Sequence, residues 1–346
     1  MGAEAVPALI QTLPSRDSSL PPLSAQIIVR IGSPAIPLLT KTLGEAHPLV
    51  RAQICYILGQ IKDRAAVPAL LDALRGEFYT VRAKSAAALG EIGDPQAIQL
   101  LLTALKDKED SVRVSAALAL GKFHNPATFD EIANLLLDDP KIEVRQAAAR
   151  AFGETKDPQA LPYLMQALRD SFWWYEREQT ADDLLWAIEA IGPASVDPLI
   201  EALSDSEGTV RKFAARMLGQ IGDERAIESL GMAIYDLHFD VGQAAAESLA
   251  HLGTSSLPVL KEALAHPETT IREHVVSALG KIQHTSVAPL LIDALNDPER
   301  IVRKQAIQSL GELRDPRATH PLQEIASNRV DREMAALAKQ AIQNIG

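Results

Sequence analysis

The sequence is poor in cysteine, in aromatic residues and in long apolar runs. Its 346 residues include one cysteine, Cys55, and only 4% aromatic residues. A single thiol excludes an internal disulfide framework and any metal site that needs two thiolates from this chain. Because no apolar run approaches ~18 residues and the first residues lack a basic signal region, we expect no membrane span and a cytoplasmic location.

Positive charge is also in deficit. Lys and Arg total 34 against 45 Asp and Glu, which gives a formal net charge of −11. An acidic protein repels the phosphate backbone, whose binding requires Lys and Arg to replace counterions. We therefore expect no nucleic acid partner and favour a protein client with a basic surface.

The signatures of common catalytic devices are missing as well. The chain contains no G-x-x-x-x-G-K-[ST], H-E-x-x-H, G-x-S-x-G or C-x-x-C pattern. Each of these patterns places a nucleophile, a base, a metal or a phosphate in a fixed local geometry. Their absence favours a non-catalytic protein with no catalytic residues, no metal site and no resident cofactor.

A short repeated pattern is present instead. Val-Arg or Ile-Arg, a run of small residues and a glycine recur at 50–59, 81–90, 112–121, 144–153, 210–219, 271–280 and 302–311. The arginines Arg51, Arg82, Arg113 and Arg145 follow one another at steps of 31, 31 and 32 residues. Apolar stretches with helical spacing lie between these runs, so each unit is predicted to be two helices, A and B.

One such helical pair cannot bury its apolar face alone, so the pairs must stack. The sequence therefore predicts an all-α fold, a right-handed α–α superhelix of about eleven two-helix repeats that forms a single solenoid over residues 1–346. The recurring arginines allow two interpretations, a row of anion-binding residues or a structural tie between neighbouring repeats. We favour the structural tie, in which each arginine pairs with an acidic residue in a turn.

The pattern VRxxAAxALGxIGDPxAVPxLxxAL resembles the HEAT-like repeat of the phycobilisome-lyase type, over nearly the whole chain. In that family some members attach or detach linear tetrapyrroles on phycobiliprotein cysteines, and others are non-catalytic adaptors, including one that associates with iron–sulfur carrier proteins. The resemblance implies an all-α solenoid. It also keeps open a bilin lyase or lyase subunit, with a linear tetrapyrrole as a transient ligand.

The sixth repeat, at 158–192, is irregular and longer than the others. Every tryptophan of the chain lies in this region, as Trp173, Trp174 and Trp186, and Tyr175 lies beside them. The insertion of about one helical turn predicts a B helix that is extended at its start. The aromatic residues either form a docking surface or fill a packing defect.

Trp186 falls five positions after the arginine register, where other repeats vary. That position holds Tyr56, Ala87, Leu118, Arg150, Arg216, Glu247, Ser277 and Gln308 in the other repeats. We expect this variable register to line the concave surface, and aromatic and arginine side chains are typical of binding hot spots. The predicted partner-binding residues, centred on repeats four to seven, are Trp186, Tyr175, Trp173, Arg150, Arg216, Phe213, Leu118 and Asp182.

A second break in register is predicted at 231–253, where Gly242 replaces the arginine. Asp236, His238 and Asp240 lie nearby in a D-x-H-x-D string, but alternate residues do not converge on a helix, so we do not predict a metal site there. The C-terminal helix has a polar outer face, whereas the N-terminal helix does not, which leaves self-association open.

The leading hypothesis is a non-catalytic scaffold, adaptor or assembly factor that binds a protein client on its concave surface. Two alternatives differ by partner. In the first the chain is a phycobilin lyase or lyase subunit, with Arg150 and Arg216 on the propionates. In the second it is a partner of an iron–sulfur cluster carrier protein. The cluster would then belong to the carrier, because Cys55 alone cannot hold one.

Overall fold

The computed structural model describes residues 2–15, 19–170, 181–328 and 330–346. Every regular element in these ranges is helical, and none is a strand. The helices pair consecutively, α1 with α2 through α21 with α22, so the described residues contain eleven two-helix repeats. The predicted all-α solenoid of about eleven repeats is therefore confirmed.

The odd-numbered helices are the A helices and the even-numbered helices are the B helices. The bounds are α1 Val6–Thr12, α2 Leu20–Ile31, α3 Ile36–Glu45, α4 Pro48–Ile61, α5 Val67–Leu74, α6 Tyr79–Ile92, α7 Ile98–Ala104, α8 Asp110–Gly121, α9 Phe129–Asp138, α10 Ile142–Thr155, α11 Leu161–Leu168, α12 Asp182–Ile191, α13 Val196–Ala202, α14 Gly208–Ile221, α15 Ile227–Ala233, α16 Phe239–His251, α17 Leu257–Ala263, α18 Thr269–Lys281, α19 Ala288–Asp293, α20 Arg300–Leu313, α21 Thr319–Ala326 and α22 Arg332–Ile345.

Most A helices begin with a single 3-10 turn that an aspartate or asparagine caps. The Asp94 carboxylate accepts a hydrogen bond from the Gln96 backbone N–H at 3.0 Å, and Pro95 occupies the first position of the turn. The proline has no N–H to leave unpaired at a position where helices lack an internal acceptor. The Asp-Pro pairs at 94–95, 157–158 and 315–316 therefore mark A-helix starts, whereas those at 139–140 and 297–298 precede B helices.

Neighbouring B helices approach closely along a column of glycines. A Cβ placed on Gly90 would lie 2.7 Å from Cα of Ala119, and one placed on Gly59 would lie 2.8 Å from Cα of Ala88. Real side chains do not tolerate such distances, so these positions require glycine opposite alanine. The small-residue runs of the sequence are thus the contact surfaces between repeats.

The recurring arginines tie consecutive repeats together. Arg82 donates through Nε and Nη2 to both carboxylate oxygens of Asp107, at 2.7 and 2.8 Å. Its Nη1 donates to the carbonyls of Gly76 and Glu77 in the turn before its own helix. A planar guanidinium fits this fork of acceptors, and charge-assisted bonds of this kind are about twice as strong as neutral ones.

The same pairing recurs along the chain at a separation of 25 or 26 residues. It joins Arg82 to Asp107, Arg113 to Asp139, Arg145 to Asp170, Arg211 to Asp236 and Arg272 to Asp297. We call these five pairs the arginine ladder. The prediction of a structural tie to an acidic turn residue is confirmed at these positions.

Two arginines of the register fall outside the ladder. The residue 25 positions after Arg51 is Gly76, and the residue 25 positions after Arg303 is Asn328. Arg303 donates only to the carbonyls of Asp297 and Pro298, and Nε of Arg51 is buried without a partner among the described residues. The missing carboxylate thus explains both exceptions.

The chain divides into two compact units, Met1–Ile191 and Gly192–Gly346. The core of the first contains fully buried Phe152, whose ring packs edge-on against Phe129 at 5.3 Å and stacks on Tyr163 at 5.7 Å. The core of the second is mostly aliphatic, with Leu249, Val275 and Ile307 fully buried. Each unit therefore has its own hydrophobic interior.

The helices of the described residues are short for a membrane span. None of the individual helices has both the length and the apolar character needed to cross a bilayer. One pair, Leu20–Ile31 with Ser33–Glu45, meets the length and composition together but is bent by 109°.

Candidate functional site

Two connected cavities lie on the B helices of the first unit. The larger has a volume of about 1060 Å³ and is lined from Leu13 to Glu143, mostly by α4, α6 and α8. The smaller has a volume of about 580 Å³ and is lined by α6, α8, α10 and α12. Both are lined by Ala87 and Ser115, so they form one continuous surface, which we call the first-unit groove.

Large apolar side chains line the larger cavity and stay exposed. The exposed fractions are 64% for Leu49, 52% for Tyr56 and 49% for Tyr79. Leu49 and Tyr56 lie two helical turns apart on α4, and Tyr79 is the first residue of α6. Apolar area clustered in a concave region of a folded protein is typical of a contact surface.

Two polar atoms in the wall of the larger cavity have unused hydrogen-bonding capacity. Oε1 of Gln53 and Oγ of Ser111 are buried, and neither has a hydrogen-bond partner among the described residues. Buried oxygens are normally paired, because leaving one unpaired costs about 1–3 kcal/mol. Both atoms are inaccessible in this structure, so they offer no direct contact to an occupant of the cavity.

Trp186 forms part of the wall of the smaller cavity, with 41% of its surface exposed. Its indole lies against the backbone of α10 at Gly153, where an added Cβ would overlap the ring and lie 2.9 Å from Cα of Ala187. Gly153 belongs to the glycine column that brings B helices together. The absence of a side chain at Gly153 therefore positions the indole.

Charged side chains surround the indole. Nε of Arg150 donates to Oδ1 of Asp183 at 2.5 Å, between α10 and α12. On the opposite side, Glu91 accepts from both Lys122 and Lys62, and these two ammonium groups hold the pKa of Glu91 below its ordinary value. The smaller cavity thus combines an aromatic face with a polar rim.

The structure brings together four of the residues predicted from sequence. Trp186 and Arg150 are exposed, Leu118 is half-buried in the smaller cavity, and Asp182 is exposed in the first turn of α12. The exposure expected for the variable register is observed in each of its residues, which are all exposed or half-buried. Their role in binding a partner stays a prediction.

Phe213 is not on an accessible surface, and its prediction as a contact residue is wrong. Only 2% of its surface is exposed. The guanidinium of Arg216 lies 5.6 Å from its ring centroid and Nζ of Lys212 lies 5.9 Å away, so cations cover the ring. Arg216 itself is exposed, in the second unit.

Two further predicted residues, Trp173 and Tyr175, lie outside the described residues, as does the inserted helical turn of the sixth repeat. Sequence reasoning missed Leu49 and Tyr79 and gave no weight to Tyr56. The available signal for Tyr56 was its position in the same variable register as Trp186.

The remaining reactive groups are committed to the fold. Cys55 is fully buried, and burial raises the pKa of its thiol to about 12 although the charge of Arg51 acts in the opposite direction. In the D-x-H-x-D string, Asp236 pairs with Arg211 and Asp240 lies 3.5 Å from Lys212. Over the described ranges, no group of three or more His, Cys, Asp and Glu residues is placed to hold a metal ion.

Comparison with known families agrees with this architecture. The profile of HEAT repeats matches residues 36–118, 101–185, 183–250 and 257–343. This chain belongs to the HEAT-repeat family. A PBS lyase HEAT-like repeat also matches this HEAT-repeat protein at residues 241–266. No curated protein matches it significantly.

Solved structures resemble this HEAT-repeat chain in fold. The crystal structure of Kap121p aligns with a TM-score of 0.60 at 14% identity, over 99% of this chain and 44% of Kap121p. Kap95p in complex with RanGDP aligns with a TM-score of 0.59 at 14% identity, over 98% of this chain and 55% of Kap95p. The chain therefore spans about half the length of these proteins, and the likeness shows the helical-repeat fold.

Proposed function

We propose that this HEAT-repeat protein is a non-catalytic scaffold, adaptor or assembly factor that holds a protein client in the first-unit groove. The observation that carries the proposal is the continuous groove, which joins exposed Leu49, Tyr56 and Tyr79 at one end to Trp186 at the other. Tyr and Trp remove large areas from water when they bind, and few rotatable bonds are ordered in doing so.

The surroundings of the groove support a protein client. Charged residues of both signs, among them Lys122, Arg150 and Glu154, surround the apolar wall of the smaller cavity. An apolar centre within a polar rim is the usual anatomy of a protein–protein interface. The Kap95p structures that share the fold are complexes with RanGDP and Nup1, which is consistent with protein binding by this architecture. We place this protein in the cytoplasm, as the sequence analysis expects.

A pull-down from native lysate with mass spectrometry tests the proposal. Wild type is compared with Tyr56→Ala/Tyr79→Ala and with Trp186→Ala, and Phe239→Ala serves as the matched control. Phe239 is an exposed aromatic residue of the second unit, 56% accessible. We expect one client to be recovered by wild type and by the control and to be lost from both groove variants. Equal recovery by all four proteins contradicts the assignment of the groove.

A bilin lyase or lyase subunit is the second candidate, favoured by the PBS lyase HEAT-like match at residues 241–266. The smaller cavity, of about 580 Å³, falls within the range of roughly 300–1,000 Å³ typical of small-molecule sites, and it offers the Trp186 indole beside Arg150. Mixing the protein with phycocyanobilin then produces a red-shifted absorbance band. An unchanged spectrum, with and without an apo-phycobiliprotein, removes this candidate.

The third candidate, a partner of an iron–sulfur carrier protein, is distinguished by colour. Such a client brings a brown chromophore into the purified complex, because Cys55 is buried and cannot ligate the cluster itself. A colourless complex with a different client removes it.

A further inference from the structure

The walls of the first-unit groove offer an occupant few backbone partners. The groove is formed by α4, α6, α8, α10 and α12, whose backbone N–H and C=O groups are paired within each helix except in the first and last turns. An extended peptide buried there would lose water from most of its own backbone groups and gain few replacements. An α-helix pairs its backbone internally, so it can enter an apolar groove without that cost.

The floor of the groove sets the character of one face of such a helix. Small residues, Ala87 and Ser115, lie where the two cavities join, with Leu49 and Tyr56 on one side and Trp186 on the other. A floor of small residues between large apolar side chains can accommodate a helix that lies across the B helices. The face that meets it is apolar, because burying that face against these side chains contributes about 25 cal/mol for each Å² removed from water.

The charges of the groove set the character of the edge. Asp110 and Glu143 line the larger cavity and Glu154 lines the smaller, and none of the three forms an ion pair with a described residue. The other acidic residues of the groove, Glu91 and Asp183, are already neutralised by cations. Lys84 forms no ion pair with a described residue, and Glu91 binds two lysines. Three unpaired carboxylates therefore stand against two surplus positive charges, and the groove keeps an excess of negative charge.

From these observations, and resting on the proposed function, we infer that the client presents an amphipathic α-helix with an apolar face and a basic edge. The groove crosses five B helices spaced by roughly 9 Å, which corresponds to a length of roughly 36 Å and a helix of roughly 24 residues. The apolar face lies on Leu49, Tyr56, Tyr79 and Trp186. The basic edge faces Asp110, Glu143 and Glu154.

Three labelled synthetic peptides test the inference by fluorescence anisotropy with the full chain. The first is a 24-residue amphipathic helix of Leu and Lys, with Leu at helical spacing. The second has every Lys replaced by Glu, and the third has prolines in the middle of the first. We expect the Lys peptide to bind at least tenfold more tightly than either analogue, because only it carries both the charge and the helix.

Variants of the protein locate the binding. Tyr56→Ala/Tyr79→Ala and Glu143→Lys/Glu154→Lys each weaken the Lys peptide at least tenfold, whereas Phe239→Ala leaves its affinity unchanged. Circular dichroism confirms that each variant is folded. Equal binding of the proline peptide overturns the helical occupant, equal binding of the Glu peptide overturns the basic edge, and insensitivity to the groove variants overturns the location.

The inference and the proposed function fail separately. If the client from native lysate is lost from the groove variants while the Lys peptide does not bind, the occupant is wrong and the scaffold function stands. If the client binds all variants equally, the groove itself is not the client site and both fall.

Discussion

The arginine ladder and the first-unit groove involve the same B helices. Their registers lie five positions apart in each repeat, and the two registers differ in how much the residue type varies. The ladder register keeps arginine in Arg82, Arg113 and Arg145, because each reaches an aspartate of the next repeat and at least one carbonyl of the turn before its own helix. The variable register, which lines the groove, holds Tyr56, Ala87, Leu118, Arg150 and Trp186 in successive repeats. Within the repeat, a register that keeps one residue type marks a structural contact, and a register that varies marks surface that is free to contact a partner.

The largest expected effect is the loss of a ladder arginine. The Arg113 and Asp139 side chains are 12% and 5% exposed, so Arg113→Ala leaves a buried carboxylate without its cation. We expect the free energy of unfolding to fall by about 3 kcal/mol. Urea unfolding followed by circular dichroism measures it, and client recovery by the folded variant stays unchanged.

Arg303→Ala is the matched control, because Arg303 occupies the same register and donates only to carbonyls. Its loss removes the donor to two neutral carbonyls and leaves no carboxylate unpaired, so a decrease of about 1 kcal/mol is expected. Equal losses in the two variants contradict the importance of the carboxylate.

The next effect comes from the glycine column. Gly90→Ala places a Cβ 2.7 Å from Cα of Ala119, which forces two B helices apart and lowers the free energy of unfolding by about 2 kcal/mol. Gly44→Ala, in α3 with no atom within 4 Å of its Cβ, is expected to raise it by up to about 1 kcal/mol through helix propensity. The two urea midpoints therefore move in opposite directions, and a shift in the same direction refutes the close-packing argument.

A smaller effect is expected where Gly242 interrupts the arginine register. The imidazole of His274 packs against Phe239 and beside Gly242, with both ring nitrogens buried and unpaired among the described residues. Burial lowers the pKa of His274 below its ordinary value, although the charges of Glu247 and Glu268 raise it. As the pH falls below about 6.5, the unfolded chain binds this proton before the folded one does, so stability decreases.

The urea midpoint measured between pH 5 and pH 8 tests this sign. His274→Gln removes the titrating group, so the decline of the midpoint below pH 6.5 becomes shallower than in wild type. A steeper decline in the variant means that His274 is protonated in the folded protein.

The smallest effect on stability is expected in the groove. Tyr56 is 52% exposed, so Tyr56→Ala is expected to change the free energy of unfolding by less than about 0.5 kcal/mol. The same substitution lowers client recovery. A stability loss comparable to that of Arg113→Ala makes Tyr56 an architectural residue and removes the contrast between ladder and groove.

The fold was predictable from sequence because its causes are local and repeated. The step between Arg82 and Arg113 gives the repeat length, Asp94-Pro95 gives a helix start, and the alanines opposite Gly90 give the packing column. The pairing of Arg113 with Asp139 follows from the same register. Each of these features recurs, so that chance agreement is excluded.

The site was predictable only in part. The exposure of Trp186 and Arg150 follows from their register. Phe213 lies two positions after the arginine, in a register whose residues line the groove in three repeats of the first unit, whereas Phe213 itself is buried beneath Arg216. Leu49 and Tyr79 belong to neither variable nor constant register, and the cavity that they line exists only through the spacing of successive B helices. Such spacing is a three-dimensional quantity that the repeat pattern does not encode.

The ladder also bears on how the chain acquires its structure during synthesis. Each guanidinium finds its carboxylate only 25 or 26 residues further on, and the helices that meet are neighbours along the chain. Contacts of such short sequence separation favour rapid folding. Each hairpin that leaves the ribosome therefore supplies the contacts that the preceding hairpin needs, so folding can proceed in step with translation.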